Sequence, residues 1–231
     1  MINKKLLIIL ISLSLVILFF APAFYSRILW KYIPHKSITI SLPFSSSDDY
    51  DTVMIPMGET INHNEADSPG GHPGIDFQWT RKVKILASSD GVVINISPAP
   101  DSEANFDLWI KNGLYQIRYK EMSELAPGIA VGSVVHQGDF LGYPLMERGI
   151  PGSTSEFGMI HWELAISNAD SYAGDRLCPM TYFDQRSLTR IDAIWNKTPL
   201  EVNKNMRATF PDICNGAYRN HNEPAWVLLK K

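Results

Sequence analysis

His72 and Asp76 stand four residues apart in Gly71-His72-Pro73-Gly74-Ile75-Asp76-Phe77. That interval would place both on one face of a helix, but Pro73 and Gly74 disfavour a helix here. A loop running into a strand remains, and in such a segment an imidazole and a carboxylate can converge on one point. His161, in the later run Met159-Ile160-His161-Trp162-Glu163-Leu164, can add a third group. Two histidines and one carboxylate, with a fourth position left to water, form a ligand set that catalytic zinc accepts. Glu163 shares a face with His161 under strand alternation and could orient the imidazole, although a structural or solvated glutamate fits the same pattern.

Each residue also has an ordinary reading. His161 suits a half-buried strand position between Ile160 and Trp162, Asp76 suits a turn cap after Gly74, and His72 suits an exposed loop. His63 and Asp67 repeat the spacing of four inside the polar run Asn62-His63-Asn64-Glu65-Ala66-Asp67. Polar loops collect both residue types, so that repeat is assigned to composition. His136 lies in a glycine-bounded turn, and neither His35 nor His221 suggests chemistry.

The elements that must position the candidate ligands read as short strands. Ser37-Ile38-Thr39-Ile40-Ser41 alternates like an edge strand, and a short strand is expected after Asp51. Val83–Ala87 and Gly91–Ile96 flank Ser88-Ser89-Asp90 and predict a hairpin. Asp107–Lys111 and Tyr115–Tyr119 flank Asn112-Gly113, a stronger hairpin signal. Fragments punctuated by glycine follow at 129–143, and residues 144–157 read as a Gly/Pro/Ser loop beside the site. Helical periodicity appears only at Ser187–Asn196, where Leu188, Ile191, Ile194 and Trp195 share a face. The expected class is therefore mainly β, built of antiparallel hairpins, with a mixed C-terminal tail.

Address and partners follow from the ends of the chain and its charge. Lys4 and Lys5 precede the apolar run Leu6–Phe24, long enough to cross a bilayer as a transmembrane helix, with Tyr25 and Trp30 suited to the interface. The run predicts a membrane anchor over 1–30, with a signal peptide cleaved after Ala21-Pro22-Ala23 as the alternative. Either way the later residues lie in the periplasm or outside the cell. A juxtamembrane spacer is expected at 31–50, the β domain at 51–170 and an extension at 171–231. In an oxidising compartment the two cysteines, Cys178 and Cys214, should pair, a closure worth on the order of 3–4 kcal/mol in the chain-entropy account. A net charge of −3 without a dense basic patch argues against a nucleic-acid partner.

Taken in order, four segments resemble one family. They are Gly71–Phe77, Ile85-Leu86-Ala87-Ser88-Ser89-Asp90-Gly91-Val92-Val93, Val131–Gly142 and His161-Trp162-Glu163-Leu164. This succession resembles the lysostaphin-like zinc endopeptidases, also called the LytM type, over about residues 50–168. The resemblance implies a small antiparallel β domain that cleaves peptide cross-links of bacterial peptidoglycan. It also implies Zn2+ held by His72, Asp76 and His161. Two auxiliary histidines of the family are replaced. Met159 stands at the first position of its His-x-His pattern, and Glu121, in Tyr119-Lys120-Glu121-Met122, stands where the other histidine follows a tyrosine. Glu121 could accept a proton from the attacking water. Met159 has no donor for an oxyanion, a loss of about 3–4 kcal/mol by analogy with deleted oxyanion-hole donors. The expectation is a peptidase with weakened catalysis on peptidoglycan, or an inactive zinc-binding envelope module that binds peptidoglycan or an envelope peptide or regulates a partner. A β domain without metal is the third reading.

Overall fold

The structure, a computed structural model, describes residues 38–57, 72–99, 102–148, 156–166, 176–198 and 214. The expected anchor or signal segment, the His63 and Asp67 pair and much of the C-terminal extension lie outside these residues. Among the described residues no helix is long and apolar enough to cross a membrane.

Among the described residues nine antiparallel strands form the sheet: β1 (Val53–Ile55), β2 (Ile75–Trp79), β3 (Ile85–Leu86), β4 (Gly91–Ala99), β5 (Ser102–Asn112), β6 (Tyr115–Leu125), β7 (Val134–Val135), β8 (Phe140–Arg148) and β9 (Glu156–Ile166). Among the described residues one α-helix follows, α1 (Gln185–Lys197). The strand order is β1-β2-β9-β8-β6-β5-β4-β7, with β3 on β8 and a second pairing between β6 and β9.

Alternation divides the sheet into two chemically different faces. Ile75, Phe77 and Trp79 of β2 share one face with Ile160, Trp162 and Leu164 of β9, because Phe77 pairs with Ile160 and Ile75 with Trp162. Ile117 and Tyr119 of β6 and Leu108 and Ile110 of β5 continue it, and all of these side chains are buried. Residues before β1 and after β9 cover this apolar face. Phe44 packs edge-on to Phe77 and Trp79, and Phe183 stacks on Trp162. Several polar groups inside the core are paired: Trp79 donates to Thr52 and Trp162 to Ser88, while the Tyr119 hydroxyl accepts from the Ser88 amide.

Helix α1 forms as its spacing predicts, over Gln185–Lys197, with Asp184 accepting from the Ser187 amide as N-cap. It buries Ile191, Ile194 and Trp195. Residues 38–50, expected as spacer, join it through buried Ile38, Ile40, Leu42 and Phe44, a bond from the Leu42 amide to Ser187 and an ion pair between Asp49 and Arg190. The alternation at 38–42 is real, but its pairing is a single parallel bridge from Ile40 to Phe183 rather than a strand.

The hairpin expected at Asn112-Gly113 is present, with Asn112 paired to Tyr115 and Gly113 at φ 59, so Gly113 and Leu114 make the turn. Two other expectations are corrected. Ser88-Ser89-Asp90 does not close a hairpin: β3 pairs with β8, and β4 with β5 and β7. The Ser88 and Ser89 side chains are buried, and Ser88 serves as a core hydrogen-bond partner, which removes it from a solvent-facing turn. The loop expected over 144–157 is strand at both ends, because β8 runs to Arg148 and β9 starts at Glu156 with register pairs from Leu145–Met159 to Arg148–Glu156. The proline that suggested a loop, Pro144, sits in β8 opposite Met122 of β6, where the register shifts.

The disulfide between Cys178 and Cys214 forms as expected, with Cα atoms 5.7 Å apart.

Candidate metal centre

The opposite, polar face of the sheet carries the candidate ligands. Asp76 and His161 are direct register partners on β2 and β9, so their side chains project to the same side. His72 precedes β2 and reaches the same point. Gly74 makes the approach possible, since a Cβ there would overlap the Trp162 carbonyl oxygen and lie 3.0 Å from His161 Nε2. The glycine in the first motif is thus needed for close packing of the loop on β9.

Three atoms meet. His161 Nδ1 lies 2.7 Å from Asp76 Oδ1, His72 Nε2 lies 3.1 Å from the same oxygen, and the two ring nitrogens are 2.9 Å apart. All three residues are buried, and together they could hold a metal ion. The remaining ring nitrogens are engaged. His72 Nδ1 is 2.8 Å from the Pro56 carbonyl, which can only accept, so this nitrogen carries the hydrogen. His161 Nε2 is 3.0 Å from Glu163 Oε1 and donates to it. Two neutral imidazoles held this way turn their lone pairs, together with a carboxylate oxygen, toward one another. Three acceptors at this separation repel unless a proton or a cation stands among them. Ligands about 2.0–2.1 Å from a tetrahedral zinc are roughly 3.3 Å apart, so the cluster fits that ion after outward shifts of a few tenths of an ångström.

The charges agree with this geometry. Burial alone would raise the Asp76 carboxyl, but hydrogen bonds from His161 and His72 outweigh it and hold the group well below the usual carboxylate range. Burial alone would lower His161, but Asp76 and Glu163 outweigh it and bring it up to about 9. Glu163 has no exposed surface. Burial opposes its charge, yet His161, Arg176 and Lys120 hold it well below its ordinary value. Burial and the neighbouring Arg176 bring Arg118 down to about 10. Burial raises Asp107, with Lys120 as the main opposing charge.

The other expected positions lie on β9 and β6, the strands beside this cluster. Met159 pairs with Gln78, two residues from His161 on the same face, and its sulfur lies 3.3 Å from Gln78 Nε2. Glu163 pairs with Arg118, also on that face. Glu121 follows Lys120, the register partner of His161 on β6. It has φ 64, in the left-handed region, at the point where β6 leaves β9 and takes β8 as its neighbour. The register between β5 and β6 also shifts here, between Phe106 and Leu108, and bulges of this kind redirect side chains near functional sites.

The sequence reading missed the residues behind the candidate ligands. Pro56 supplies only a carbonyl, which no side-chain pattern reveals. Arg118 and Lys120 alternate with Ile117 and Tyr119, a polar face on an otherwise apolar strand, and that signal was available. Arg176 comes from an irregular segment and carried none.

No family profile and no curated protein sequence matches the chain. Among solved structures it is similar to Helicobacter pylori Csd3, with TM-score 0.45 and 18% identity over 73% of this chain and 46% of that one. A structure of the SpoIIQ-SpoIIIAH pore forming complex matches with TM-score 0.45 and 14% identity over 68% of this chain and 98% of that one. The catalytic domain of the antimicrobial peptidase lysostaphin from Staphylococcus simulans matches with TM-score 0.42 and 18% identity over 60% and 97%. The chain spans less than half of the Csd3 chain.

Proposed function

We propose that this chain is an exported, membrane-anchored zinc peptidase domain of lysostaphin type that acts on peptide bonds of peptidoglycan with weakened catalysis. The observation that carries the metal assignment is the meeting of His72 Nε2, His161 Nδ1 and Asp76 Oδ1 within 3.1 Å, with each imidazole held through its other nitrogen. His72, Asp76 and His161 hold the ion, and Glu163 orients His161. When bound, zinc supplies the Lewis acidity that polarises a carbonyl and acidifies water. Glu121 accepts the proton of the attacking water. Its strained backbone supports that role, because left-handed conformations of long side chains concentrate where function requires them. The peptidoglycan substrate comes from the family resemblance, and the address from the apolar run at 6–24.

A second reading, an envelope module that binds peptidoglycan or a protein partner without cutting, is favoured by one observation. Met159 faces the site side of β9 and offers sulfur where an oxyanion needs a donor. Metal analysis of protein purified without chelator, followed by incubation with purified peptidoglycan, separates the readings. Soluble fragments that disappear with His161→Ala mean a peptidase. Zinc-loaded protein that sediments with peptidoglycan and releases nothing is a binder. Protein without zinc overturns both.

A further inference from the structure

Glu163 is buried completely, and its two oxygens divide four partners. Oε1 lies 3.0 Å from His161 Nε2 and 2.8 Å from Lys120 Nζ. Oε2 lies 2.6 Å from Arg176 Nε and 3.5 Å from Arg118 Nη1. Lys120 and Arg118 belong to β6, already paired to β9. Arg176 arrives from outside the main strand order, and it is the nearest of the three cations. A bridge to Ala165 and a bond from the Leu177 amide to the Leu164 carbonyl lay its segment along β9. Cys178, two residues later, is tied to Cys214.

A carboxylate turns as a rigid plane, so the group that fixes Oε2 also decides where Oε1 points. We infer that Arg176 is a positioning residue for His161, acting through Glu163, and that it makes the disulfide-closed C-terminal segment part of the metal centre. Arg118 is farther away, and the Lys120 side chain is 30% exposed, so neither replaces the Arg176 contact. The zinc half of this inference rests on the proposed metal assignment.

The test compares the whole chain with Arg176→Met and Arg176→Lys by two measurements. One is the downfield proton NMR signal of the buried His161 Nε2–H in metal-free protein. The other is zinc affinity from competition with a chromophoric chelator. Arg176→Met should broaden or shift the proton signal and weaken zinc 10–100-fold, the range found when an outer partner of a ligand is lost. Arg176→Lys should recover most of both. A folded Arg176→Met with an unchanged proton signal and unchanged affinity overturns the inference. If Arg176→Met does not fold, Arg176→Gln takes its place, and wild-type values in that variant overturn it equally. Wild-type protein that shows the proton signal but binds no zinc refutes the metal assignment instead, and the signal in the variants still decides the role of Arg176.

Discussion

Removing metal should leave a domain whose stability falls as the solution becomes alkaline. Without a cation, the proton on His161 is what separates the three acceptors. Its folded-state pKa of about 9 exceeds the ordinary 6.5, so the folded state binds this proton more tightly than the unfolded chain does. That stabilisation is fully present below 6.5 and is lost as pH rises through about 9. At about 1.4 kcal/mol per pH decade the interval amounts to about 3.5 kcal/mol. Asp76 and Glu163 act in the opposite direction, because their pKa values are depressed on folding. Their contribution is present above the ordinary carboxylate range and is lost in acid. Metal-free protein should therefore be most stable between roughly pH 4.5 and 6.5. Urea unfolding of chelator-treated protein at pH 6 and pH 9.5 measures the alkaline fall directly. The zinc-loaded protein should lose much less over that span, since the cation takes the place of the proton. Equal stability of the metal-free protein at the two pH values would refute the claim that three acceptors are forced together.

Other substitutions test separate parts of the account. Gly74→Ala puts a methyl group against the Trp162 carbonyl and 2.9 Å from Glu163 Cγ, and should cost about 1–3 kcal/mol by thermal unfolding and weaken zinc binding. Glu121→Gly removes a side chain from a left-handed backbone position, and should raise stability by up to about 1 kcal/mol while abolishing peptidoglycan release. Met159→His restores a donor on the site face, and should raise fragment release by up to about 10²-fold in a quantitative digestion assay. Reduction of Cys178–Cys214 should lower stability by about 2–4 kcal/mol in paired unfolding curves with and without reductant.

The meeting of His72, Asp76 and His161 was legible because Pro73 and Gly74 excluded a helix, and because the order of the four segments resembles a family in which such residues converge. The amphipathic helix was legible because Leu188, Ile191, Ile194 and Trp195 mark one face. The pairing of β3 with β8 was not legible, since Ser88-Ser89-Asp90-Gly91 has local turn chemistry and nothing local reports that Ser88 is claimed by Trp162. The strand ends at Arg148 and Glu156 were hidden by Pro144, which long-range pairing overrides. Arg176 illustrates the same limit: it touches Glu163, thirteen residues back on another element, and no periodicity connects them.

Asp76 and His161 touch across 85 residues of chain, and their neighbours in the ladder join only when β9 docks beside β2. Almost the whole sheet must be synthesised before the centre can exist. An unfolded chain holds His72, Asp76 and His161 far apart and has no preformed site for an ion. Any ion that the three residues hold is therefore bound only by the folded domain, after β9 has docked beside β2.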